Sequence, residues 1–224
     1  MEKRALNKLL TVVLSVFLII LVITFSIGLP IYFRPFYYMQ IESLGVEADT
    51  WHTKEEIKEA YDLLLDYLTL PNKEFSTGVF QYSESGKSHF EDCKRLFNLN
   101  LTLFIISLIV VITIYILHKK KKITICRPCG YNFMLACGVG ALIFFVFLIG
   151  LCSIDFDTAF LVFHRIFFPG KENFYFDPYT DGVIFILPLK FFERCAILIG
   201  SVILLSLFGF IIYAVIEKKK VSKN

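Results

Sequence analysis

Leu99 to Leu117 reads LNLTLFIISLIVVITIYIL, nineteen residues without one charged side chain. An α-helix rises about 1.5 Å per residue, so a hydrocarbon core of roughly 30 Å asks for about 20 such residues. This stretch fits that demand. Working outward, three more charge-free runs appear, at residues 9–29, 133–154 and 195–216. The chain of 224 residues is 56% hydrophobic, with a mean hydropathy of +0.66. A soluble domain of this size would have to expose much of that apolar surface. The expectation is therefore an all-α membrane protein with four transmembrane helices, at about 9–29, 96–117, 133–154 and 193–216. The first run follows Lys3, Arg4 and Lys8, as a signal peptide would. It exceeds the ~7–15 residues of a signal core, however, and is read as a retained span.

Charge placement orients the bundle. The flanking segments 1–8, 118–132 and 217–224 hold twelve Lys/Arg against only Glu2 and Glu217. Segments 30–98 and 155–194 hold eleven Lys/Arg against eighteen Asp/Glu. Positive loops stay in the cytoplasm. A multi-pass cell-membrane protein with both termini cytoplasmic follows, its working face outside. The lysine cluster Lys119–Lys122 adjoins a span and lacks interleaved aromatics, which disfavours nucleic acid as a partner.

The two outward segments differ in character. Residues 31–95 form an expected extracytoplasmic cap between spans 1 and 2. Thr53-Lys54-Glu55-Glu56 has the pattern of a capping box. Ile57, Ala60, Tyr61, Leu64, Leu65 and Leu68 then recur at helical spacing, and Pro71-Asn72 ends the pattern. Phe75 to Gly86 reads as loop, and Ser88 to Phe97 as a helix entering span 2. Residues 155–192 form an interfacial loop. Its runs Phe160–Phe168 and Gly182–Phe192 are apolar but too short to span, so they belong at headgroup depth. Pro169-Gly170 and Asp177-Pro178 mark turns between them.

Ionisable residues close to lipid are costly and invite a functional reading. His89 precedes span 2 and His164 follows span 3 by about ten residues, which places both on the outer side at similar depth. Imidazole suits proton transfer near neutral pH. From composition alone, a single ring hydrogen bond at an interface is the commoner role; the match in depth favours chemistry. His118 reads as a solvated flank and His52 as a cap residue. Asp92, Asp177 and Asp181 can orient a histidine, although Asp177-Pro178-Tyr179-Thr180-Asp181 is also a good turn. Arg34 can hold an anionic headgroup or a carbonyl, or simply snorkel to the lipid headgroups. Cys126-Arg127-Pro128-Cys129 has CxxC spacing but no second ligand pair, and is read as a tight inner turn. No zinc-binding HExxH, GxSxG elbow, phosphate loop or dinucleotide fingerprint is present, so neither a metal nor a nucleotide cofactor is expected.

Longer stretches carry a resemblance. Phe80-Gln81-Tyr82-Ser83-Glu84-Ser85-Gly86-Lys87-Ser88-His89-Phe90-Glu91-Asp92-Cys93-Lys94 is similar to a segment of the lipoprotein intramolecular transacylases. So are His164-Arg165-Ile166-Phe167-Phe168-Pro169-Gly170, Phe176-Asp177-Pro178-Tyr179-Thr180-Asp181 and Leu187-Pro188. Tyr61 and Tyr67-Leu68 in the cap also resemble that family. The departures are Phe174 or Tyr175 in place of a usual tryptophan, Gly182 in place of proline, and Leu189 in place of an acidic residue. The resemblance implies an acyltransferase that moves the sn-2 acyl chain of a diacylglyceryl lipoprotein to its own N-terminal cysteine amine. It implies His89 and His164 as the catalytic pair. Arg34, Asp92, Phe167, Phe168, Phe176, Asp177 and Asp181 are then candidates for binding or orienting the substrate. His164, among aromatics, is favoured as base. The partners would be the lipoprotein substrate and membrane lipid, with a monomer favoured and no cofactor or metal required. The alternative is a non-enzymatic accessory protein that binds a lipid or a partner helix on its aromatic surface.

Overall fold

The computed structural model describes residues 2–126 and 133–221. Among the described residues, ten helices run in the order α1 (Glu2–Tyr32), α2 (Pro35–Tyr38), α3 (Ile41–Leu44), α4 (Val46–Thr50), α5 (Lys54–Thr69), α6 (Glu84–Lys119), α7 (Phe133–Ile154), α8 (Phe156–Phe167), α9 (Val183–Ile186) and α10 (Leu189–Val221). No strand occurs among the described residues. The chain is an all-helical membrane protein. Helices α1, α6 and α10 are each long and apolar enough to cross a bilayer. Helix α7, of 22 residues, meets the same test together with α8 as a bent pair, a fourth crossing if that pair is one span. The chain then bends by 117° into α8. The CxxC stretch lies outside the described residues beyond Cys126.

The chain divides into two compact units. One comprises Met1–Ile27, Leu101–Leu151 and Ile199–Asn224. It exposes large apolar side chains along its helices, among them Leu9, Ile109, Phe147 and Leu205. In water such a surface would be a liability; against lipid it is the expected solvent face. Polar groups inside it satisfy themselves locally. The Thr11, Thr24 and Ser26 hydroxyls donate to the carbonyls of Asn7, Ile20 and Val22, each four residues earlier, which is how a hydroxyl survives in a lipid-facing helix.

The other unit comprises Gly28–Asn100 and Cys152–Leu198, and it has a core of its own. Helix α5 begins with the expected capping box: the Glu56 N–H donates to Thr53 Oγ1, and the Thr53 N–H donates back to Glu56 Oε2. All six apolar positions of its expected face are buried. Burying one such leucine is worth about 1.5–3 kcal/mol. Tyr37 stacks on Tyr61 at 3.9 Å, and its hydroxyl donates to the Ile186 carbonyl at 2.6 Å. That bond ties residues 31–95 to residues 155–192. A second tie comes from Arg194 at the start of α10, whose guanidinium donates to Gln40 Oε1 and Ser43 Oγ.

Two boundaries differ from the sequence expectation. Helix α6 begins at Glu84, inside the stretch read as loop, because Ser83 caps it: the Gly86 N–H donates to Ser83 Oγ at 3.0 Å. Helix α10 begins at Leu189, straight after Pro188, so part of the expected interfacial run Gly182–Phe192 is already helix entering the last crossing.

Candidate active site

Helices α6 and α8 each present one histidine to the same buried aromatic cluster of the second unit. His89 is 4% exposed and His164 8%. Their ring centroids stand 5.6 Å apart with planes inclined by 31°. Two residues 75 positions apart in the chain thus come within reach of one small reacting group.

Each ring is set by its own helix. Asp155 starts α8 by accepting from the Thr158 N–H at 3.0 Å and the Thr158 hydroxyl at 2.6 Å, which places the bend and the register that follows. His164 Nδ1 lies 2.8 Å from the Phe160 carbonyl, one turn back. A carbonyl only accepts, so Nδ1 carries the hydrogen and Nε2 keeps the lone pair. On α6, His89 Nε2 faces Cys93 Sγ at 3.4 Å, also one turn away. Burial pushes the Cys93 thiol up to about 12, so it stays protonated and can donate weakly to that nitrogen.

Both histidines precede or follow the apolar crossings, and both are held neutral. Burial, reinforced by the nearby His164, lowers His89 to about 4 despite Asp92. Burial likewise lowers His164, against the opposing pull of the Phe160 carbonyl. Since both rings are neutral bases at pH 7, the environment does not single out His164 for that role.

An aromatic collar surrounds the pair. Phe168 lies 4.9 Å from His89 and 5.7 Å from His164, and Phe176 lies 5.5 Å from His89. Phe168 is buried. Phe167 is half-exposed and packs on Phe163 instead of a histidine. Asp92 and Asp181 are buried supports. Asp92 takes the Lys171 ammonium on both oxygens and the Asn173 amide at 3.1 Å. Asp181 accepts from the Ser83 N–H at 2.8 Å and the Ser83 hydroxyl at 3.0 Å. It thereby pins the loop after α8 to the N-terminus of α6, where negative charge is favoured. Asp177 caps its own turn, accepting from the Tyr179 N–H at 2.9 Å, as the turn reading expects. Arg34 is drawn away from the snorkelling expected of it. Its guanidinium pairs with Asp62 and Asp66 of α5, so its charge is engaged within the cap.

The residues that sequence reasoning missed are those that support the rings. Phe174 lies 4.9 Å from His164 and 6.4 Å from His89, and Phe160 packs on His164 at 4.4 Å. Lys171 and Asn173 hold Asp92. At Gly86 any Cβ would stand 2.5 Å from Asp181 Oδ1. The Gly182 N–H donates to the Gln81 carbonyl at 3.0 Å, a bond that a proline there would delete. Among the described residues no group of three or more His, Cys, Asp or Glu side chains converges as metal ligands would.

Comparison with known proteins places these features in a family. A family model described as lipoprotein intramolecular transacylase Lit matches residues 12–192. A search of curated proteins finds no match. Among solved structures, the membrane-integral lipoprotein intramolecular transacylase Lit of Bacillus cereus is 26% identical, with a TM-score of 0.83. The alignment covers 96% of this chain and 99% of that one. A variant of the same Bacillus cereus protein, with a histidine replaced by arginine, is 25% identical with a TM-score of 0.77. There the alignment covers 99% of this chain and 96% of the other.

Proposed function

The chain belongs to the lipoprotein intramolecular transacylase family, and on that premise we propose that it moves the sn-2 acyl chain of a diacylglyceryl lipoprotein onto the amine of that lipoprotein's N-terminal cysteine. The product is a lyso-form lipoprotein with one N-linked and one ester-linked chain. The observation that carries this reading is the pair of buried, neutral imidazoles 5.6 Å apart inside an aromatic collar.

Ester to amide is downhill, so the reaction draws on no nucleotide. The difficulty is geometric. Counting from the amine through Cα, Cβ, sulfur, two glyceryl carbons, the ester oxygen and its carbonyl carbon, the attack closes an eight-membered ring. Holding reacting groups in such an arrangement can remove about 7–11 kcal/mol from the barrier. An aromatic-walled pocket, with the acyl chains left in lipid, suits that task. Proton traffic supplies the rest. One imidazole takes a proton as the amine attacks, and the resulting imidazolium gives a proton to the departing glyceryl oxygen. The C–N bond forms as the C–O bond breaks, and the alcohol leaves neutral. General acid–base help of this kind contributes roughly 10²–10⁴-fold. The charge asymmetry of the loops supports an extracytoplasmic site with both termini inside.

The test is mass spectrometry of a reporter lipoprotein's N-terminus in cells carrying the wild-type chain, His89→Asn or His164→Asn. Loss of the lyso-form in both variants is the expected result. If either variant still makes it at the full rate, that ring has no part in the chemistry.

A further inference from the structure

Two polar atoms around the histidine pair are buried without a hydrogen-bond partner: His89 Nδ1 and Asn173 Oδ1. Such orphans are uncommon, because each forfeits the hydrogen bond that water gave it. These two are complementary. The Asn173 amide lies against Ser88 Oγ at 3.4 Å and Asp92 Oδ2 at 3.1 Å, the residue before His89 and the one a turn after it, and His89 Nδ1 can donate where Asn173 Oδ1 can only accept.

The surrounding residues decide which way the amide faces. Lys171 grips both oxygens of Asp92, and Arg95 approaches Oδ1 at 3.4 Å. The carboxylate is therefore fixed and ionised: burial alone would raise its pKa, but Lys171 and Asn173 hold it below the usual carboxylate range. An ionised carboxylate only accepts, so the edge of Asn173 turned to Asp92 Oδ2 at 3.1 Å must be the NH₂. Its weaker contact to Ser88 Oγ, at 3.4 Å, falls on the same nitrogen. The oxygen is left pointing inward, where a donor is required. His89 Nδ1 is the other buried atom there without a partner, and an Nδ1–H would answer that requirement, leaving Nε2 as the lone-pair nitrogen, as at His164.

We propose that Asn173 is a positioning residue for His89: anchored by the Lys171–Asp92 ion pair, its carbonyl oxygen holds the ring in the tautomer with hydrogen on Nδ1 and the basic lone pair on Nε2. The inference rests on the transacylase reading and deepens it by naming the nitrogen that works. Lys171 and Asp92 touch no reacting atom in this scheme. Their charges keep the amide from rotating, since the flipped amide would set its oxygen against a carboxylate.

The test has two arms. In the first, histidine ¹⁵N chemical shifts are recorded on the wild-type protein in detergent, with His89 assigned by its absence from the His89→Asn spectrum. A protonated Nδ1 and a bare Nε2 are expected; the opposite tautomer overturns the proposal whatever the activity. In the second, Asn173→Leu and Asn173→Asp are compared with wild type for kcat, KM and the pH profile on a diacylglyceryl peptide. Partners that orient an imidazole commonly cost about 10–100-fold when removed, as known for metal-bound rings. Asn173→Leu should lower kcat by that factor with little change in KM, and its spectrum should show mixed tautomers. Asn173→Asp sets an oxygen against the Asp92 carboxylate, as the flipped amide would, and should lower kcat by a similar factor, with the acid limb of the profile moved to higher pH. The groups facing His89 that set this limb are His164 from α8, Lys171 from the following loop, and Asp92 and Cys93 on α6. A merely structural asparagine would change yield or KM and leave tautomer and limb in place, which overturns the proposal. Should Asn173→Leu fail to fold, the wild-type spectrum and Asn173→Asp decide the matter. If wild type makes no N-acyl product, or His89→Asn makes it normally, the transacylase reading has failed instead.

Discussion

Replacing Gly86 by alanine should destabilise the protein, against the usual trend. In a helix interior, alanine for glycine ordinarily gains about 0.5–1 kcal/mol. At Gly86 the new Cβ would stand 2.5 Å from Asp181 Oδ1 and 3.0 Å from Phe176 Cε1. Asp181 cannot yield freely. It is 3% exposed and accepts from the Ser83 N–H, the Ser83 hydroxyl, the Thr180 hydroxyl and the Asp177 N–H. Retreat by about an ångström would break the 2.8 Å bond from Ser83, and a hydrogen bond to a charged group is worth about 1.5–3 kcal/mol. The net is a loss of about 1–2 kcal/mol. Thermal unfolding in detergent measures it, and a double-mutant cycle isolates its origin. On an Asp181→Ala background the same Gly86→Ala change should lose most of its penalty. A Gly86→Ala protein at least as stable as wild type would refute the argument, as would an undiminished penalty on the Asp181→Ala background.

Stability should also fall on acidification in a defined window. The folded pKa of His89 lies near 4 against an ordinary 6.5, so between those values the unfolded chain binds the extra proton. The contribution is complete above about pH 6.5 and is lost towards pH 4, on the order of 3 kcal/mol. Denaturation of wild type and His89→Asn across that range checks it, the variant being expected to show the shallower slope. Tyr37→Phe leaves the Ile186 carbonyl without the hydroxyl that meets it at 2.6 Å, which should cost about 1–3 kcal/mol; an unchanged unfolding midpoint would remove that bond from the account of the fold.

The crossings were legible because each is an uninterrupted apolar run, and the cap helix because Thr53, Glu56 and the Ile57–Leu68 stripe follow local rules of capping and period. His89 and His164 were suggested as a pair by their similar distance from the ends of spans and by the family resemblance, and their rings do stand 5.6 Å apart. The supports of the pair left no such trace. Asp92 meets Lys171 and Asn173 across about 80 positions, and those two sit in a loop whose sequence has no periodicity to read. Arg34 read as a snorkelling side chain because Asp62 and Asp66, which capture it, lie about 30 positions further on and off the buried stripe of α5. The start of α6 was obscured for a similar reason. Ser83, Ser85 and Gly86 have loop composition, and only Asp181, almost a hundred residues later, makes them a helix terminus.

The closeness of the two rings restricts how much charge the pocket can store. At 5.6 Å, two imidazolium ions would repel by about 3 kcal/mol even at an effective dielectric constant of 20. A single excess hydrogen ion is therefore the working capacity. For the reaction proposed above, this would make catalysis a closed circuit, in which the hydrogen lifted from nitrogen is the one delivered to the glyceryl oxygen, and bulk water need neither lend nor receive it during the attack.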